Sequence, residues 1–202
     1  LLGLLASVTG FGVGLPGTLD AFVLDVRDDA AVGTMVNQVT AAWGQVDVLV
    51  NSAGLFQTAP LGETTNELWD DIWQTNVNGT FYPTRAVVPG MIERGGGTIV
   101  IMSSVAAYRG YSGNTAYSAS KYAVTGFARA LSTEVRRKGV RVINVMPGPV
   151  ATPIWDGKDL PLERAQMLTA GEVAQATINA MTVSPTQVIE DVLLLPQAGL
   201  YF

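Results

Sequence analysis

From Phe22 onward, short apolar runs alternate with longer stretches of helical period, and no internal repeat or low-complexity linker interrupts them. That rhythm predicts βαβα units building a parallel sheet. Phe22-Val23-Leu24 reads as a strand ending at Asp25. Asp28 to Trp43 reads as a helix, with Asp28 as N-cap and Val32, Met35, Val36, Val39 and Trp43 on one face. Val46 to Val50 is a second strand entering the turn Asn51-Ser52-Ala53-Gly54. A helical stretch follows from Asn66 to Arg94, with a break or bend near Asn76 to Gly79 and a stop at Gly95-Gly96-Gly97. Thr98 to Met102 is the next strand. The unbroken apolar run Val48-Leu49-Val50 predicts a sheet covered on both faces.

The second half repeats the scheme. A loop rich in Ser, Gly and Tyr runs from Ser103 to Thr115 and leads into a long helix, Ala116 to Lys138. The basic Arg136-Arg137-Lys138 closes that helix, where cations meet the carbonyl end of its dipole. Val140 to Val145 is a strand terminated by Pro147-Gly148-Pro149, and Ala151 to Met167 is short and irregular. A helix from Gly171 to Thr182 and a strand from Asp191 to Leu195 complete the pattern. The expected fold is α/β, a doubly wound parallel sheet in one domain over residues 1–202, with residues 1–19 atypical.

Composition narrows the chemistry. The chain has 202 residues with neither histidine nor cysteine, which removes Ser-His-Asp and Cys-His nucleophiles, His/Cys metal sites, disulfides and iron–sulfur clusters. Any acid–base group must then be Tyr, Lys, Asp or Glu with a shifted pKa. Lys+Arg 12 against Asp+Glu 17, a net charge of -5, argues against a phosphate-tracking nucleic-acid surface and for a small-molecule partner. No apolar run reaches the roughly 18 residues of a membrane span. The uncharged start, Leu1 to Leu19, lacks both a basic n-region and an initiator Met, so it reads as a fragment or processed start, and a cytoplasmic location is expected.

In open parallel sheets ligands sit at the carboxyl ends of strands. Those exits are Asp25, Asn51 to Gly54, Ser103-Ser104 and Pro147 to Thr152, all small or polar apart from Val150. Each alone reads better as a turn. Together they suit a ligand lying along the sheet edge. Tyr117-Ser118-Ala119-Ser120-Lys121 adds a phenol and an ammonium at i and i+4 on one helix face. A phenol of pKa about 10 must drop by about 3 units to act as a base near pH 7, some 4 kcal/mol, and a nearby cation has the right sign.

With these residues in order, the chain from about residue 20 to 202 resembles a classical short-chain dehydrogenase/reductase. The likeness rests on Asn51-Ser52-Ala53-Gly54, Asn76 in Thr75-Asn76-Val77-Asn78-Gly79, Ser104, the Tyr117/Lys121 pair, and Pro147-Gly148 followed by Thr152. A spacing of 13 to Tyr117 selects Ser104 over Ser103. The resemblance implies a Rossmann-like three-layer fold and an NAD- or NADP-dependent oxidoreductase acting on a secondary alcohol or carbonyl. Tyr117 would be its general acid/base, Ser104 would hydrogen-bond the reacting oxygen, Lys121 would depress the Tyr117 pKa and bind the nicotinamide ribose, and Asn76 would hold a relay water. It further implies cofactor contacts at Asp25, Val26, Asn51, Ala53, Gly54, Pro147, Gly148, Val150 and Thr152, no metal, and a homodimer or homotetramer.

One part of the family pattern is missing. Only about 20 residues precede the strand ending at Asp25, so the first βαβ unit with its TGxxxGxG loop is absent or replaced. Gly12, Gly14 and Gly17 spell GxGxxG, but the ten residues Gly10 to Leu19 are too few for a crossover helix. The segment Leu4 to Thr9 reads as a remnant or substitute of the first strand. The alternative function is therefore an inactive remnant or truncated fragment unable to hold the dinucleotide.

Overall fold

Four strands whose side chains are apolar on both faces form the centre of the molecule. The computed structural model describes residues 3–8, 19–158 and 162–199. Val48–Asn51 (β3), Gly97–Met102 (β4), Val140–Pro147 (β5) and Asp191–Leu194 (β6) pair in that order, all parallel. The register aligns Leu49 with Ile99 and Val142, and Val50 with Val100 and Ile143. Because strand side chains alternate, the first row faces one helical layer and the second row the other.

On one face, Asp29–Trp43 (α1), Gly79–Glu93 (α3) and Thr115–Val135 (α4) enclose Leu49, Ile99, Ile101, Val140 and Val142. On the other face Ala170–Met181 (α5) packs Val173 and Ala180 onto Val100, Ile143 and Val145. The arrangement is a three-layer α/β/α sandwich, as expected from the pattern. The predicted cap on α1 is present, with Ala31 N–H donating to Asp28 Oδ1 at 3.0 Å, and the predicted face Val32, Met35, Val36 and Val39 is buried. The expected break near Asn76 is a π-helical turn, Gln74–Asn78, joining Asn66–Trp73 (α2) to α3. Such single turns insert one extra residue and re-aim side chains. At the return into β5, Gly139 has φ +82° and a Cβ there would collide with the Gly95 carbonyl, so the three-glycine stop at 95–97 and this turn fit each other.

Two expectations are corrected. The strand ending before Asp25 exists, as Leu19–Leu24 (β2), but it pairs antiparallel with Gly3–Val8 (β1) in a separate two-stranded ribbon instead of joining the parallel sheet. An antiparallel pair can be joined by a short loop, whereas a parallel crossover needs a dozen or more residues, and residues 9–18 are too few. The candidate GxGxxG at Gly12, Gly14 and Gly17 lies outside the described residues. Secondly, the sheet is not covered on both faces throughout. Val48 and Val50 of β3 are 46% and 41% exposed, because α5 reaches β5 and β6 and no other described helix lies on that side.

Candidate active site

The carboxyl ends of β3, β4 and β5 open into a cavity of about 820 Å³. Its wall includes Ser52, Gly54, Ser104, Tyr117, Lys121 and the segment Pro147 to Val150 with Thr152. The sheet and α4 bring together residues up to about a hundred positions apart. Tyr117 and Lys121 sit in the first turns of α4 and point the same way because i and i+4 share a helix face. Ser104 follows β4 directly, and its Oγ accepts from Ala106 N at 3.1 Å, capping the short turn Val105–Ala107. Ser103 serves differently. Its hydroxyl bonds the Lys121 carbonyl at 3.2 Å and Thr125 Oγ1 at 2.8 Å, fastening β4 to α4. Ser104 forms a side-chain hydrogen bond with Tyr117, 13 residues further on.

Lys121 is buried and its Nζ donates to the Met102 carbonyl at 2.8 Å, 5.7 Å from the centre of the Tyr117 ring. Burial lowers its pKa from 10.5 to about 8. Burial pushes the Tyr117 phenol above its usual 10, opposed only in part by its hydrogen bond with Ser104. The expected depression of the phenol by the neighbouring cation is not found. The ammonium faces the ring and the Met102 carbonyl, and burial is the largest influence on the phenol.

Asn76 is 1% exposed and absent from the cavity wall. Its carboxamide is fully engaged: Oδ1 accepts from Leu55 N at 2.7 Å, and Nδ2 donates to Leu55 O at 3.0 Å and Ser120 Oγ at 2.9 Å. It therefore clamps the 51–55 turn to α4, one residue from Lys121. Replacing Asn76 with Leu leaves buried groups on Leu55 unpaired and is expected to lower unfolding free energy by about 2 kcal/mol. Urea denaturation checks this, and an unchanged midpoint would refute the clamp.

The other predicted contacts divide. Asn51 turns inward, Nδ2 donating to Thr84 Oγ1 at 2.9 Å, and neither it nor Ala53 is on the wall. Asp25 is paired with Arg27 at 2.6 Å, which holds its carboxyl below the usual range, and Val26 is buried against Gly79; both lie away from the cavity. Gly148 fits closely under the end of β6, its N–H donating to Leu194 O at 2.7 Å, and Thr152 folds back on Val150 O at 2.8 Å. Wall residues that the motifs did not single out include Phe56, Tyr111, Asn114 and Trp155. Asn114 is 3% exposed and its Oδ1 has no hydrogen-bond partner, a buried acceptor suited to a donor in the cavity. Phe56, two residues after Gly54, was the one with an available signal; Trp155 lay in a segment without periodicity. Among the described residues no helix is long and apolar enough to cross a membrane, and no acidic cluster could hold a metal ion.

The described residues fit the nicotinamide half of a dinucleotide. A phenol, a hydroxyl and an ammonium meet at one wall, and Gly148 packs closely against Pro196 and Leu194 where β5 ends.

A protein-family model described as short chain dehydrogenase matches residues 14–161. A 3-oxoacyl-(acyl-carrier-protein) reductase of Thermotoga maritima is 40% identical over 143 residues, 71% of this chain and 58% of that protein. A D-threitol dehydrogenase of Mycolicibacterium smegmatis is 40% identical over 145 residues, 70% and 56% respectively. Among solved structures, a serine dehydrogenase complexed with NADP+ superposes with a TM-score of 0.77 at 31% identity, covering 88% of this chain and 76% of that one. The chain spans somewhat over half the length of these curated relatives.

Proposed function

The chain belongs to the short-chain dehydrogenase/reductase family, and from that premise we propose that it is an NAD(P)-dependent oxidoreductase acting on a secondary alcohol or carbonyl compound. The convergence of Ser104, Tyr117 and Lys121 on one cavity wall carries the reading. The nicotinamide cofactor supplies the hydride. Tyr117, which burial keeps protonated, gives its proton to the carbonyl oxygen as negative charge grows there. Ser104 donates a second hydrogen bond to the same oxygen, so charge develops against two fixed dipoles. Lys121, anchored on the Met102 carbonyl, holds the nicotinamide ribose and returns a proton toward Tyr117. Gly148, Val150 and Thr152 hold the carboxamide side, and Asn76 acts as a positioning residue through Leu55 and Ser120. The protonated phenol is the form that the reductive direction uses.

The relatives include proteins named as reductases and as dehydrogenases, and one solved neighbour is complexed with NADP+, which supports the cofactor class. A cytoplasmic location and self-association as a dimer or tetramer complete the reading. The exposed aromatic side chains Phe81 on α3 and Tyr122 on α4 support the association. Titration with NADH and NADPH, followed by nicotinamide fluorescence, is expected to saturate below millimolar concentration for at least one of them. No binding of either at millimolar concentration would instead favour the inactive-remnant reading.

A further inference from the structure

The cavity has two unlike ends that meet at Tyr117. The end formed by Gly54, Lys121 and Pro147 to Thr152 suits the cofactor. The other is aromatic. Phe56 is 6% exposed and meets Tyr117 edge-on, ring centres 4.8 Å apart at 74°. Its other neighbour is Trp155, 5.0 Å away at 64°. Three rings in edge-to-face contact form a stiff apolar wall beside the proposed proton donor.

Trp155 does not hang on a free loop. The turn Pro153–Trp155 follows β5 closely, and Trp155 N donates to Thr152 O at 3.3 Å. From outside, Arg164 Nη1 donates to the same Thr152 carbonyl at 3.2 Å, and Lys158 Nζ donates to Ile154 O at 2.7 Å while lying 5.6 Å from the Phe56 ring centre. The ring is thus held in place before any substrate arrives.

Charge narrows the choice further. Among the described residues lining the cavity, Lys121 is the one charged side chain, and it is bound to the Met102 carbonyl. A carboxylate or phosphate on the substrate would lose its hydration against the aromatic wall, where the ammonium of Lys158, 5.6 Å from the Phe56 ring centre, is held on the Ile154 carbonyl. An apolar ring there gains contact area and edge-to-face geometry instead.

Resting on the oxidoreductase reading above, we infer that Trp155, backed by Phe56, determines specificity, and that the substrate is an uncharged ketone or secondary alcohol with a flat apolar substituent. The substituent lies against Trp155 while the oxygen faces Tyr117 and Ser104.

Three probes separate the components: 1-phenylpropan-1-one, butan-2-one and phenylglyoxylate. The wild-type chain is expected to reduce the first with kcat/KM about ten-fold or more above either of the others. Trp155→Ala should raise KM for phenylpropanone about ten-fold with kcat within about three-fold and leave butan-2-one nearly unchanged, whereas Trp155→Phe should stay within about three-fold of wild type throughout. Equal or better use of phenylglyoxylate, or an equal loss for all three probes in Trp155→Ala, overturns the inference. Calorimetric titration of phenylpropanone, without nucleotide, keeps this outcome apart from the cofactor reading. If neither NADH nor NADPH binds, the oxidoreductase reading fails, yet ketone binding weakened about ten-fold by Trp155→Ala and retained by Trp155→Phe still supports the aromatic subsite. No saturable phenylpropanone binding by the wild type overturns it.

Discussion

Replacing Tyr117 with Phe is expected to lower kcat by about 10³-fold while leaving affinity for the reduced nicotinamide cofactor within about two-fold. The change deletes one hydroxyl and keeps the ring, so the edge-to-face contact with Phe56 and the packing of α4 survive. What disappears is the proton donor. Burial raises the phenol's proton affinity, and the hydrogen bond with Ser104 offsets that only in part, so at neutral pH the wild-type group is the acid form. Among the described residues, the other phenol on this cavity wall is Tyr111. Tyr111 is also pushed up by burial, and its own charge adds to the rise at Tyr117, against whose cluster it packs. Single-turnover rates with saturating cofactor separate chemistry from binding. A variant retaining turnover within ten-fold of wild type would remove Tyr117 from its proposed role.

The parts of this site that could be read from the chain are those set by local periodicity. Tyr117 and Lys121 share a face because four residues make about one helical turn, and Ser104 follows an apolar run that ends in polar residues. The exits Asn51, Ser104 and Pro147 fall where strands β3, β4 and β5 end. Long-range placement was not legible. Nothing near Asn76 announces that its carboxamide closes on Leu55 and Ser120, because those partners meet only once the π-helical turn and α4 pack together. The pKa of Tyr117 was misread for a related reason. Spacing puts a cation nearby, but the sign of the shift depends on burial and on where the ammonium points, and it points at Met102 O. β2 was legible as a strand and illegible as to its partner, since three apolar residues before Asp25 fit a parallel sheet and an antiparallel ribbon equally. Trp155 had no periodic signal, and only the turn after β5 brings it against Phe56.

Stability should rise between about pH 8 and pH 10.5 by roughly 3 kcal/mol more in the wild-type chain than in Lys121→Met. In the unfolded chain this ammonium keeps its proton up to its ordinary pKa of 10.5, whereas the folded chain releases it near 8 because burial penalises the charge. Across that window the unfolded state binds more protons, so raising the pH favours the folded state; below pH 8 both states are protonated and the contribution is flat. Methionine has a similar reach and no charge, so the variant keeps the packing of α4 and loses the titration. It also loses the bond to Met102 O, a constant offset that leaves the slope untouched. Guanidinium denaturation of both proteins at pH 7, 9 and 10.5 gives the difference directly, since tyrosines and the remaining lysines titrate alike in each. A flat difference would place the Lys121 pKa at its solvent value and leave the ammonium without the desolvation that burial imposes. The same titration should appear in function as a fall in reduction rate above about pH 8, where the group that returns protons to Tyr117 is itself deprotonated.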